Sequence, residues 1–175
     1  MLGKRNIYLI GPMGTGKTAV GKQLARLLGQ PFIDSDAEIE HHAGVDIPFI
    51  FEREGEAGFR QREREVLADL CRREGIVMAT GGGAVLDPTN RKLLHETGTV
   101  VYLQTSLAQQ LQRVGKGRGR PLLKGGDLVQ RLTELRAARE PLYQEISDIT
   151  LSTDNRRVPR VAELIMVHLG RKEEG

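Results

Sequence analysis

The chain is poor in the features that mark secreted, membrane-spanning or nucleic-acid-coating proteins. It has a single cysteine in 175 residues, Cys71, so no intramolecular disulfide can form, which fits a reducing compartment. Cys71 lies in an apolar helical pattern, where a buried structural thiol is expected rather than a nucleophile. The apolar stretch from Ile7 to Ile10 is too short for a secretory h-region of ~7–15 residues. No run approaches the ~18 apolar residues of a membrane span. Charge of either sign is nearly balanced, 26 basic against 23 acidic residues, and a formal excess of +3 is too small by itself to suggest a nucleic-acid surface. Internal repeats and low-complexity linkers are missing as well. These absences leave a cytoplasmic protein of one domain, residues 1–175, with no membrane or nucleic-acid partner and nothing that demands more than a monomer.

Glycine, by contrast, is plentiful: 21 of 175 residues, against an average usage of ~7%. The glycines gather at Gly11 to Gly16, at Gly81 to Gly83 and between Gly115 and Gly126, each time where a strand or helix pattern stops. Such clusters suit unusual backbone or close approach to a ligand. Between them, short apolar runs alternate with longer amphipathic stretches, the pattern of a parallel sheet covered by helices. The expected strands are Asn6–Ile10, Pro31–Asp34, Ile76–Ala79, Thr99–Leu103 and Ile149–Leu151, giving an α/β, three-layer α/β/α fold around a five-stranded parallel sheet. Val20, Leu24, Leu27 and Leu28 recur at helical spacing, as do Val161, Leu164, Ile165 and Leu169, so both segments read as half-buried helices. Asp46 followed by Pro48 marks a helix start, with Phe59, Val66, Leu67 and Leu70 as its buried stripe. A further helix runs from Leu128 to Tyr143 and is expected to end in a Pro-Leu-Tyr turn.

After the first strand the chain reads Gly11-Pro12-Met13-Gly14-Thr15-Gly16-Lys17-Thr18, a full G-x-x-x-x-G-K-[ST] match at a strand-to-helix junction. Glycines let consecutive backbone N–H groups converge, and the new helix directs its positive end to the same point, so both favour a di- or triphosphate. Lys17 adds a point charge for the β- and γ-phosphates, and Thr18 offers its hydroxyl to Mg²⁺. The loop implies a P-loop nucleotide-binding fold but does not name the acceptor, since GTPases, ATPases and small-molecule kinases share it.

The second strand ends in Phe32-Ile33-Asp34-Ser35-Asp36, two carboxylates at the carboxyl end of a parallel strand, where open α/β sheets place their ligands. If the strand persists they point the same way. One suits magnesium-bound water or activation of an acceptor hydroxyl, the other hydrogen bonds from substrate hydroxyls; capping the next helix is the commoner role of such a carboxylate. Arg60 follows Phe59, with Glu63 on the same helical face to fix its guanidinium. Gly81, Gly82 and Gly83 then end a strand in backbone that can lie against a ligand. From Gln104 to Gly126 no acidic residue occurs, while Arg113, Lys116, Arg118, Arg120 and Lys124 alternate with glycines. This reads as a mobile basic lid, about residues 113–126, that closes over ATP and brings an arginine to the transferred phosphoryl group. A solvated loop or an RNA-binding patch is the alternative, although no aromatic residue there could stack a base.

In combination these motifs resemble the shikimate kinase family across nearly the whole chain. The matching elements are the P-loop, Phe32 to Asp36, Phe59-Arg60, Gly81 to Gly83, Arg120 to Leu123, Arg139 to Tyr143, and Asn155 to Pro159. The resemblance implies a nucleoside-monophosphate-kinase-like fold with a substrate-binding segment at about 34–63. It implies transfer of the γ-phosphoryl group of MgATP to the 3-hydroxyl of shikimate. Shikimate contacts then fall to Asp36, Arg60, Gly81, Gly82, Gly83 and Arg139, two guanidinium forks for a carboxylate and one acceptor for hydroxyls. ATP contacts fall to Gly14, Thr15, Gly16, Lys17, Thr18 and Ala19, with Arg120 near the transferred phosphate and Arg113, Arg157 and Pro159 near adenine; which of Arg156 and Arg157 meets the base stays open. Lys17, Asp34 and Arg120 form the expected catalytic set and Thr18 with Asp34 the metal set, Asp34 acting through the magnesium shell or as a base. Ala19 departs from the second hydroxyl residue that many family members carry after the P-loop threonine. Another small-acceptor kinase, such as a gluconate kinase, and a nucleotide-binding module without catalysis are the rival readings.

Overall fold

The computed structural model describes residues 5–114 and 127–173. The segment expected as the lid, apart from Arg113 and Val114, lies outside the described residues, and Arg120 with it. Five parallel strands, β1 (Asn6–Ile10), β2 (Phe32–Asp34), β3 (Val77–Ala79), β4 (Gly98–Gln104) and β5 (Ile149–Ser152), form one sheet in the order β2-β3-β1-β4-β5. All five occur where the apolar runs place them, with ends shifted by one residue at most. Pairing is in regular register, Leu9 beside Ala79 on one side and Val101 on the other.

Alternation along β1 sorts the core into two layers, because successive strand side chains point to opposite faces. Tyr8 and Ile10 face α3 (Ile47–Leu70), α4 (Pro88–Thr97) and α6 (Leu128–Ile146), packing with Ile50, Phe59, Leu67, Leu94 and Tyr143. Ile7 and Leu9 face α1 (Lys17–Leu28) and α7 (Val158–Glu173), packing with Val20, Leu24, Val161 and Ile165. This is the expected α/β/α sandwich. Cys71 is buried in the first layer, and burial pushes its thiol pKa up, as a structural role requires.

α1 is half-buried as expected, turning its Val20, Gly21, Leu24 and Ala25 face inward and leaving Leu27 48% exposed at the edge of the apolar stripe. One local expectation needs correction. The 128–143 helix does not end at Pro141; α6 runs through it to Ile146. Proline removes one backbone donor, yet Tyr143 and Ile146 beyond it are both buried, and their packing outweighs one lost helical bond. Tyr143 also stacks on Tyr102 with ring centroids 5.0 Å apart. α3 starts at Asp46, whose side chain accepts from Phe49 N, and is broken once, at Gly55, where φ is +71°.

The topology decides where ligands go. β1 connects through α1 to β2 on one side of the sheet, and β3 connects to β4 on the other, so the chain reverses direction beside β1. Loops on either side of that reversal open a crevice at the carboxyl ends of the strands.

Candidate active site

The loop after β1 wraps into α1 with Gly16 at the helix N-cap (φ +85°). Thr15 is buried and its hydroxyl donates to Pro12 O at 3.1 Å. Lys17 crosses the loop, its Nζ donating to Gly11 O at 2.7 Å and Pro12 O at 2.8 Å, which holds the ammonium at the loop's mouth. A cleft of about 810 Å³ opens there. Its walls include the loop from Met13 to Val20, then Asp34, Asp36, Ala79 to Gly82, Arg113, Thr153, Arg156 and Val158. The phosphate loop thus shares one cavity with Asp36, Gly81 and Gly82, while Arg139 lines a smaller pocket with Pro12 and Met13 of the same loop.

Asp34 and Asp36 do not extend from one strand face, because β2 stops at Asp34 and α2 (Ser35–Ala43) begins immediately. Asp34 is the N-cap of α2: its Oδ1 accepts from Asp36 N at 2.9 Å and Ala37 N at 3.2 Å. Its other oxygen, Oδ2, accepts from Thr18 Oγ1 at 3.0 Å. Capping therefore occupies one carboxylate oxygen, and the other faces the Thr18 hydroxyl. A hydroxyl and a carboxylate are hard oxygen donors, and among the described residues no group of three His, Cys, Asp or Glu could hold a metal. Such a sparse set fits Mg²⁺ carried on a phosphate, which keeps most of its water and takes few protein ligands.

The acceptor side is built around the triple glycine, where each missing side chain makes room for a different charged group. A Cβ on Gly81 would lie 2.6 Å from Asp36 Oδ1, one on Gly82 would lie 3.4 Å from Arg139 Nη1, and one on Gly83 would lie 2.7 Å from Arg60 Cζ. Asp36 from α2, Arg60 from α3 and Arg139 from α6 therefore converge on one turn after β3. Gly81 N donates to Ser35 Oγ at 3.2 Å and Tyr143 donates its hydroxyl to Gly82 O, so the turn is anchored from both sides. Arg60 donates to Glu63 Oε1 at 3.0 Å, as the i, i+3 spacing anticipates, and its guanidinium lies over the Phe59 ring. Three of the six buried side-chain atoms left without a hydrogen-bond partner among the described residues lie in this pocket: Asp36 Oδ1, Arg60 Nε and Glu63 Oε2. Unmet polar capacity concentrated in one place suits a small ligand rich in hydroxyl and carboxylate oxygen.

Burial sets the electrostatics. Glu63 is 1% exposed, and its pKa is pushed up to about 7, chiefly by burial, with the Arg60 guanidinium opposing the rise. Asp36 is raised by burial first and by the Asp34 charge second, against Lys17 and Arg60. A raised folded-state pKa means the native protein holds the proton more tightly than the unfolded chain. The stability linked to Glu63 is then complete below its unfolded value of 4.5 and is lost as pH climbs through about 7. Chemical denaturation at about pH 5 and about pH 8 should show wild-type stability falling by roughly 1–2 kcal/mol, with a shallower fall in Glu63→Gln, where Asp36 alone keeps the same sign. Equal slopes in the two proteins would contradict the assignment. Gly83→Ala tests the turn itself: the new methyl group must displace Arg60, so the KM for the acceptor should rise about tenfold with the KM for the nucleotide unchanged.

The residues expected near adenine divide. Arg113 is on the cleft wall and donates to Gly14 O at 2.8 Å. At the start of α7 it is Arg156 and Val158 that line the cleft, whereas Arg157 uses its carbonyl to accept from Arg160 N and Val161 N, and Pro159 lies in the first helical turn. Ala19 lines the cleft despite its missing hydroxyl. Sequence reasoning missed Thr153, directly after β5, which lines the cleft, and Gln110, on α5 (Leu107–Val114), which lines the smaller pocket beside Met13; neither lies in a recognisable motif.

A family model described as shikimate kinase matches residues 13–169. The shikimate kinase of Hahella chejuensis (strain KCTC 2396) is 52% identical over 171 residues, covering 98% of this chain and 89% of the relative. Among solved structures, shikimate kinase from Acinetobacter baumannii in complex with shikimate superposes with a TM-score of 0.93 at 48% identity, over 97% of this chain and 95% of that one. A gluconokinase from Sinorhizobium meliloti 1021 superposes with a TM-score of 0.64 at 18% identity, over 97% and 94%, a likeness of fold alone.

Proposed function

The chain belongs to the shikimate kinase family, and from that premise we infer how its residues divide the work of moving the γ-phosphoryl group of ATP to the 3-hydroxyl of shikimate. The observation that carries the reading is the convergence of Asp36, Arg60 and Arg139 on Gly81 to Gly83 within reach of a phosphate loop. Shikimate is a small ring acid with three hydroxyls and one carboxylate. Two guanidinium groups match the carboxylate, and a buried carboxylate matches the hydroxyls.

Lys17 and the N–H groups of Gly14 to Thr18 hold the β- and γ-phosphates and offset the charge that spreads over the transferred group. Thr18 Oγ1 and Asp34 Oδ2 form the oxygen face that would hold Mg²⁺, which when bound neutralises phosphate charge and orients the γ-phosphoryl group. Asp34 already spends Oδ1 on capping α2 and Oδ2 on Thr18, which favours its role in the magnesium shell over that of a base. Asp36 faces the substrate turn and suits hydrogen bonds from the ring hydroxyls. Arg113, with Arg156 or Arg157 and Pro159, flanks the adenine. Arg120 serves as the lid arginine at the transferred phosphate. The reading extends to a cytoplasmic monomer; no helix among the described residues is long and apolar enough to cross a membrane.

The test is ATP consumption in a coupled assay with Mg²⁺ and, separately, shikimate, gluconate or a nucleoside monophosphate as acceptor. Stimulation by shikimate alone is expected. Stimulation by gluconate or the nucleotide in its place would move the chain to another acceptor class on the same fold.

A further inference from the structure

Gln110 is 1% exposed on α5, and a buried glutamine has to be explained by what it bonds. Its Nε2 donates to Met13 O at 2.8 Å, and one turn on Arg113 donates to Gly14 O at 2.8 Å. The contact is close-packed as well as polar. A Cβ on Gly14, where φ is +82°, would meet Val114 Cγ2 at 3.2 Å, Gln110 Cγ at 3.6 Å and Arg113 Cβ at 3.7 Å. The last turns of α5 therefore lie directly on the middle of the phosphate loop.

α5 is fixed at its other end too. Asp154, after β5, accepts from Thr105 Oγ1 at 2.8 Å and Ser106 N at 3.0 Å, and Arg136 of α6 donates to Thr105 O at 2.7 Å. Gln110 thus reaches the loop from a helix whose position is set independently of it. In a trans peptide the C=O and the following N–H point in opposite directions, and the described peptides are trans. Holding Met13 O toward α5 turns the Gly14 N–H away from that helix, and Gly14 itself lines the cleft.

We propose that Gln110 is a positioning residue for nucleotide phosphates: through the Met13 carbonyl it aims the Gly14 N–H at the β-phosphate and ties that aim to α5. The inference rests on the nucleotide reading above and deepens it. If Gln110 only filled space, leucine would serve as well, since Tyr102, Leu135 and Tyr143 line the same small cavity beside it.

The experiment compares wild type, Gln110→Leu and Gln110→Glu by calorimetric titration with ADP, AMP and shikimate, together with thermal melting. Leucine keeps the volume and removes the donor; glutamate keeps the shape and, when ionised, presents only acceptors to the carbonyl. ADP affinity should fall about tenfold in the leucine variant and further in the glutamate variant, while AMP and shikimate affinities stay within about twofold; melting is little changed for leucine and lowered for glutamate, whose charge is buried. Unchanged ADP affinity in both variants would overturn the proposal, and so would a parallel loss for all three ligands with a lowered melting temperature, which marks a merely structural glutamine. Failure of the wild-type protein to bind ADP would instead strike at the nucleotide reading itself.

Discussion

Lys17→Met should lower kcat by at least about 10²-fold while the protein still folds and melts near the wild-type temperature. The ammonium is held at the mouth of the loop by the carbonyls of Gly11 and Pro12, so it needs little reorganisation to meet a phosphate. Loss of one preorganised charge or donor facing transition-state charge typically costs about 2.7–4 kcal/mol, or about 10²–10³ in rate. Methionine preserves most of the stem and removes the charge. A rise in the KM for ATP should accompany the loss, because the same group also binds the ground-state phosphates; the KM for shikimate should move little. Turnover near wild type would remove Lys17 from the catalytic set.

Arg139→Ala should raise the KM for shikimate about 10²-fold, with the KM for ATP within about twofold. Arg139 is 5% exposed and lies against Gly82, so a substrate carboxylate meeting it is drawn out of water, where a charge-assisted fork contributes most. Truncation removes that partner and leaves the carboxylate desolvated with Arg60 alone. Arg139→Lys should recover little of the loss, since a point charge cannot reproduce two parallel donors. Steady-state kinetics with each substrate varied in turn decides the matter. A larger effect on ATP than on shikimate would place Arg139 on the other ligand.

Much of this architecture was legible from residue patterns because the physics involved is local. β1, β3 and β4 are buried on both faces, and that alone produces the continuous apolar runs that mark them. The phosphate loop was legible because its glycines, lysine and threonine act through backbone and side chain within eight residues. Asp34 was harder. Two carboxylates separated by one residue left a shared strand face and a helix cap both open; the strand ends at the first, which caps the helix that the second enters. Pro141 misled for the opposite reason: a local rule against proline was overridden by the burial of Tyr143 and Ile146. The triple glycine pointed to close approach, although only the fold shows that three separate helices send Asp36, Arg60 and Arg139 to it, one to each glycine. Gln110 had no sequence signal, since its meaning depends on α5 lying over a loop 97 residues away.

On the proposed reading, MgATP on the glycine loop and a ring carboxylic acid on the arginine and aspartate wall lie close enough for phosphate to pass between them. Phosphorus NMR of the protein mixed with MgATP and shikimate decides whether it does. The expected result is ADP together with a phosphomonoester signal that appears only when shikimate is present and couples to the proton at ring carbon 3. Inorganic phosphate as the sole new signal, or a spectrum that stays that of ATP, would contradict it.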